Sequence, residues 1–200
     1  MCIICASPAG VRQPTDFQIK TMFAHNPHGA GYMYARDGKV FIHKGFMNLV
    51  EFMDALKSER FTAEDSVVYH FRISTQAGVC PEMTHPFPLS NRSALMRKLD
   101  LACACGVAHN GIIPAYSDPN NKLYSDTAMF ITEFLSRVLK SSSDLHDPEF
   151  LKNLYTVAQS KLAIMDGSGY IATVGEFRDI GGLLFSNYSF LSDLYALRMR

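Results

Sequence analysis

The chain has 200 residues, 48% of them hydrophobic and 19% charged, an ordinary composition for one folded domain and not that of a disordered segment. Nineteen Lys/Arg and nineteen Asp/Glu cancel, with no basic run, which argues against a nucleic-acid or membrane-surface partner. No apolar stretch approaches the roughly 20 residues of a membrane span. No basic segment followed by an apolar one opens the chain, so no secretory signal is read and a cytoplasmic location, with reduced thiols, is expected. Five Cys at irregular spacings (Cys2, Cys5, Cys80, Cys103, Cys105) are a poor disulfide framework. Cys2-x-x-Cys5 could be half of a redox or zinc site. Cys103-Ala-Cys105 does not supply a second pair of similar spacing, so neither metal nor cofactor is expected.

Taken in chain order, Cys2 to Ala6 is short and apolar and reads as a central strand. Pro14-Thr15 opens a helix expected to turn Phe17, Met22 and Phe23 inward, and Asn26-Pro27-His28-Gly29 breaks it. Two aromatic and β-branched runs, Tyr32 to Ala35 and Val40 to His43, flank Asp37-Gly38 and predict a hairpin. Leu49, Phe52, Met53 and Leu56 recur at the spacing of one helical face, with Asn48 and Glu51 resembling a capping box. Ser66 to Arg72 alternates as a strand, with Arg72 at its end. A Pro-rich loop spans Pro81 to Ser90, and Cys103 to His109 reads as a strand ending in the Asn110-Gly111 turn. Asp126 is expected to cap a helix running to Leu139 with Phe130, Phe134, Leu135 and Val138 on one stripe. Asp147-Pro148 starts another helix, carrying Phe150, Leu151, Leu154 and Tyr155. Lys161 to Met165 and Tyr170 to Val174 form a second hairpin, and Leu183 to Ser186 a last strand. There is no linker and no repeat, so residues 1–200 are expected to be one domain of two sheets covered by helices.

The stretch that carries chemistry is Met1-Cys2-Ile3-Ile4-Cys5. Loss of Met1 would leave Cys2 bearing a thiol and a free α-amine. A thiol of ordinary pKa, about 8.5, is mostly protonated at pH 7, and an α-amine titrating near 7.7–8.0 can take its proton. Nucleophile and base would then share one residue. Three more patches stand out: Arg72-Ile73-Ser74-Thr75 after one strand, His109-Asn110-Gly111 after another, and Ser125-Asp126 at a helix start. Taken alone, Arg72 reads first as a surface ion pair, Asn110-Gly111 as a tight turn and Asp126 as a cap. His70, His85 and His109 read as structural hydrogen-bonding residues, His85 tying the Thr84–Phe87 loop.

In this order the patches resemble the class II glutamine amidotransferases, of the N-terminal-nucleophile hydrolase superfamily. The resemblance is carried by Asn26-Pro27-His28-Gly29-Ala30-Gly31, Thr84-His85-Pro86-Phe87, Val107-Ala108-His109-Asn110-Gly111-Ile112 and the Tyr124–Phe130 segment. It implies an α+β four-layer αββα sandwich of two stacked, mainly antiparallel sheets covered by helices. It implies that Cys2 attacks the side-chain amide of glutamine, that Asn110 and the Gly111 N–H form an oxyanion hole, that Arg72 holds the substrate α-carboxylate, that Asp126 accepts its α-ammonium and that Thr75 lines the same end. The products would be glutamate, through a thioester, and ammonia, with no cofactor.

The chain departs from the family pattern at Ile3, where many members have Gly, at Ile73, often aromatic, and at Ala30, where some relatives carry Trp. With no GxxxxGK[ST] loop, a separate synthetase or ligase is expected to accept the ammonia. An N-terminal-Cys amidase acting on another amide, and a catalytically silent amino-acid-binding module, are the alternatives.

Overall fold

The computed structural model describes residues 1–73, 79–118, 120, 121 and 123–191. Among these, in chain order, lie β1 (Ile3–Ser7), α1 (Asp16–His25), β2 (Ala30–Arg36), β3 (Lys39–Phe46), α2 (Leu49–Glu59), β4 (Val67–Phe71), β5 (Phe87–Pro88), α3 (Ser93–Met96), β6 (Asp100–Cys103), β7 (Cys105–Asn110), α4 (Asp126–Phe130), α5 (Ser136–Val138), α6 (Pro148–Ala158), β8 (Lys161–Asp166), β9 (Ile171–Val174), β10 (Arg178–Ile180) and β11 (Leu183–Phe185). The fold is α+β with two antiparallel sheets. One has seven strands in the order β10-β11-β1-β4-β2-β3-β6, and the other four, β5-β7-β8-β9. No helix among the described residues is long and apolar enough to cross a membrane.

β1 is buried along its length and central, as its apolar run predicts. Ile3 faces Phe71 of β4 on one side, and Cys5 faces Phe185 of β11 on the other. The Asp37-Gly38 hairpin forms with both residues at positive φ, 51° and 73°, the twist a two-residue turn needs. Thr15 and Gln18 make a reciprocal capping box at α1, and Asn48 Oδ1 accepts the Glu51 N–H at 2.9 Å to start α2.

Three apolar clusters hold the elements. Ile4, Met33, Ile42 and Val68 of the seven-stranded sheet meet Ala108 and Met165 of the other. Met22, Phe23 and Phe52 of α1 and α2 pack with Tyr32, Tyr69 and Phe71 of the larger sheet. Phe130, Leu135 and Leu154 cover the smaller sheet over Val107, Leu162 and Ile164. Each of the Val, Leu, Ile, Met and Phe side chains contributes about 1.5–3 kcal/mol by leaving water.

Several expectations are corrected. Phe17 is 44% exposed, and Ile19 takes the inward place in α1. The strand expected over 103–109 is two strands. β6 ends at Cys103 on the edge of the larger sheet, and β7 starts at Cys105 in the smaller one, so the chain changes sheets at Ala104. Helix 126–138 is interrupted by a π-helical turn, Ile131–Leu135, whose wider pitch shifts the stripe and leaves Val138 37% exposed. Ser125, not Asp126, caps that helix, accepting the Ala128 N–H at 3.2 Å. Tyr155 of α6 is 48% exposed. β10 went unread in the sequence.

Candidate active site

Cys2 sits one residue before β1, half-buried, its Sγ 3.7 Å from the Ile73 carbonyl oxygen. Asn26 Nδ2 donates to the Met1 carbonyl at 2.9 Å and to that of Phe71 at 3.3 Å. Asn187 Nδ2 donates to the Met1 and Cys2 carbonyls at 3.2 and 3.4 Å. Burial raises the Cys2 thiol pKa; the Ile73 contact, the Arg72 guanidinium and the terminal amine pull it back, and the Asp126 carboxylate pushes it up.

Arg72 follows β4 and is 7% exposed. Its N–H donates to the Gly29 carbonyl at 2.8 Å, and its carbonyl accepts the His28 N–H at 3.0 Å, so the Asn26–Gly29 bend and the strand end clamp one another.

Asn110 ends β7, and its side chain and backbone are held from two sides. Its Nδ2 donates to Ser186 Oγ at 3.0 Å, and the same Oγ accepts the Ile4 N–H at 2.9 Å. The Oδ1 atom is buried without a partner among the described residues. The Asn110 carbonyl accepts Ser160 Oγ–H at 3.0 Å. Because that hydroxyl proton is spent there, His109 Nε2–H must be the donor in its 2.7 Å contact with Ser160 Oγ. His109 Nδ1 is then the acceptor for Thr127 Oγ1–H at 2.7 Å. Burial lowers the His109 pKa to about 4, which keeps the ring in the neutral state this chain needs. Gly111 has φ +136°, and a side chain there would collide with Ser160 Oγ. Asp126 Oδ2 accepts the Ile113 N–H at 2.8 Å, tying the segment after Gly111 to the start of α4.

Cys2, Asn110 and Gly111 line one pocket of about 360 Å³, walled further by Met1, Ile73, Ile112, Tyr155, Gln159, Ser160 and Lys161. Arg72 and Asp126 are not in this lining. Thr75 lies outside the described residues. His85 does not tie its loop by hydrogen bonds. Both its ring nitrogens are buried without a partner, the ring lying 4.3 Å from His70 and 4.7 Å from Phe87 between centroids. Thr84 does that work, donating through Oγ1 to the Pro81 carbonyl and accepting the Gly45 N–H, both at 2.7 Å.

Sequence reasoning missed Ser160 and Ser186, since a lone Ser near a strand end has no pattern to announce it. Asn26 and Asn187 were missed as ligands of the terminal carbonyls, although Asn26 stood in a motif already singled out. Comparison of the chain with models of known protein families and with curated proteins finds no match.

Proposed function

We propose that the protein is a glutaminase of the class II glutamine amidotransferase type, built as a four-layer αββα sandwich. The observation that carries the reading is that Cys2, Asn110 and Gly111 line one pocket; Arg72 lowers and Asp126 raises the pKa of the same thiol. After loss of Met1 the Cys2 α-amine takes the thiol proton, and the sulfur attacks the side-chain amide carbon of glutamine. Asn110 and the Gly111 N–H steady the oxyanion, a stabilisation worth about 10²–10³ in rate per donor. The C–N bond breaks, ammonia leaves with the proton held by the α-amine, and water then releases glutamate from the thioester. Arg72 and Asp126 suit the two charges of an amino-acid end. Thr75 joins them there by the resemblance. A separate synthetase or ligase accepts the ammonia, in a cytoplasmic setting where the thiol stays reduced.

The test is intact-protein mass spectrometry for loss of Met1, followed by glutamate release from glutamine. Processed protein that yields no glutamate, and takes no adduct at Cys2 from a glutamine-mimicking electrophile, overturns the reading. The amidase alternative has one observation in its favour: a pocket beside Cys2 larger than ammonia needs.

A further inference from the structure

A water molecule occupies about 30 Å³, and ammonia is of similar size. With Met1 still in its wall the pocket beside Cys2 is about 360 Å³, within the range of roughly 300–1,000 Å³ that holds whole small ligands, and loss of Met1 opens it further. It opens onto the nucleophile and the two oxyanion donors, and its lining excludes both charges assigned to the amino-acid end, Arg72 and Asp126. Arg72 and Asp126 stand outside this lining, so a γ-carboxamide whose α-end they held would leave the pocket to the substituent on its amide nitrogen. Ile73 and Ile112 give the wall apolar surface and the half-exposed Tyr155 of α6 an aromatic face, beside the polar Gln159 and Ser160. Among the described residues of the lining, Lys161 is the one Lys, Arg, Asp or Glu side chain. Its Nζ is fixed by donation to the Ser186 carbonyl at 2.8 Å.

We infer that the pocket is an amine-side subsite, and that the substrate class is γ-glutamyl amides of apolar amino acids, the amine part filling the pocket and its carboxylate pairing with Lys161. This rests on the Cys2 reading above and changes its leaving group. The Cys2 sulfur bonds to the γ-carbonyl carbon, and its proton passes to the α-amine. The C–N bond breaks, and the departing amine takes that proton as a free amino acid. Water then adds to the thioester, giving glutamate and restoring the thiol. A group of this size gains binding from every apolar contact it makes, about 25 cal/mol per Å² buried, which ammonia cannot.

The test uses the protein with Met1 removed, as checked by mass, and follows glutamate release from L-glutamine and from γ-L-glutamyl-L-phenylalanine. The expected result is a kcat/KM for the dipeptide at least tenfold above that for glutamine. Tyr155→Ala, a change at an exposed helix position, should reduce that ratio at least fivefold. Glutamine turned over as well as the dipeptide, or better, overturns the subsite and leaves the glutaminase reading standing. A dipeptide preference that Tyr155→Ala does not move also overturns the assignment of this pocket. No glutamate from either substrate, with no adduct at Cys2, overturns both.

Discussion

Ser186→Ala is the substitution that best tests how the oxyanion hole is set. As it stands, Asn110 Nδ2 donates to Ser186 Oγ while Oδ1 is buried with no partner among the described residues. The amide oxygen and nitrogen have nearly the same shape, so their partners decide which way the group faces. Turned by half a rotation, Oδ1 accepts Ser186 Oγ–H over the same contact, and Nδ2–H is released as the donor the tetrahedral intermediate needs. Ser186 is then a positioning residue, and its hydroxyl also receives the Ile4 N–H at 2.9 Å. Without it, an amide sampling both faces equally loses only twofold in rate, whereas loss of the donor altogether costs about 10²–10³. A fall in kcat of about tenfold, or 1.4 kcal/mol, with KM for glutamine unchanged, is the expected result. The orphaned Ile4 N–H should separately lower folding stability by about 1–3 kcal/mol. The assay is steady-state glutamate release by processed protein, with urea unfolding alongside. In the Asn110→Ala background, Ser186→Ala should slow turnover no further. An unchanged kcat in folded Ser186→Ala protein, or a loss that adds in full to that of Asn110→Ala, refutes the argument.

Other outcomes follow from the same geometry. Arg72→Lys keeps the charge but loses the planar fork, so KM for glutamine should rise about tenfold with a smaller change in kcat, and an unaltered KM removes Arg72 from the substrate. Burial holds the Cys2 thiol above its ordinary pKa, so in protein retaining Met1, alkylation of Cys2 by iodoacetamide at pH 8 should lag behind that of an exposed thiol. Equal rates would show that burial does not hold the proton on. His70 and His109 are lowered to about 3 and about 4 by burial, and His85 is lowered for the same reason. The unfolded chain therefore binds more protons below its ordinary histidine value near 6.5. Stability is full above that value and falls as pH drops toward about 4, by about 1.4 kcal/mol per unit for each ring. Urea midpoints at pH 7 and pH 5 test this, and equal midpoints contradict it.

What the sequence made legible follows the range of the interaction. The Asp37-Gly38 turn and the Thr15 and Asn48 caps are decided within four residues, and they form where the pattern put them. The 103–109 strand fails because its apolar run is continuous while its hydrogen-bond partners change, from Val40 opposite Cys103 to Asp166 opposite Cys105. Periodicity sees side chains, not which sheet receives the backbone. Tyr155 falls on an apolar helical spacing, yet it faces the pocket and not the core. At the site, Cys2, Arg72, Asn110, Gly111 and Asp126 could be singled out by residue type and position. Ser160 and Ser186 could not, because their meaning lies in contacts across 50 and 76 positions to Asn110.

Those distant contacts bear on why a residue beside a chain terminus can serve as a nucleophile at all. Terminal residues usually fray, since few contacts offset the entropy of ordering them. Here the strand after Cys2 lies between two partners. β4 pairs with it from Ile3 to Ser7, and β11 closes the other side, the Ser186 N–H donating to the Ile4 carbonyl at 3.0 Å. Ser186 Oγ then joins Ile4 to Asn110, so the nucleophile's strand and the oxyanion donor share one anchor that lies 182 positions from Ile4. Reacting groups placed to within a fraction of an ångström gain rate from that order. The same anchor makes the site wait for β11. It is assembled only once the last described strand has docked, a non-local step of the kind that slows folding. Loss of β11 pairing should therefore silence Cys2 chemistry before it unfolds the smaller sheet, whose four strands all lie between Phe87 and Val174.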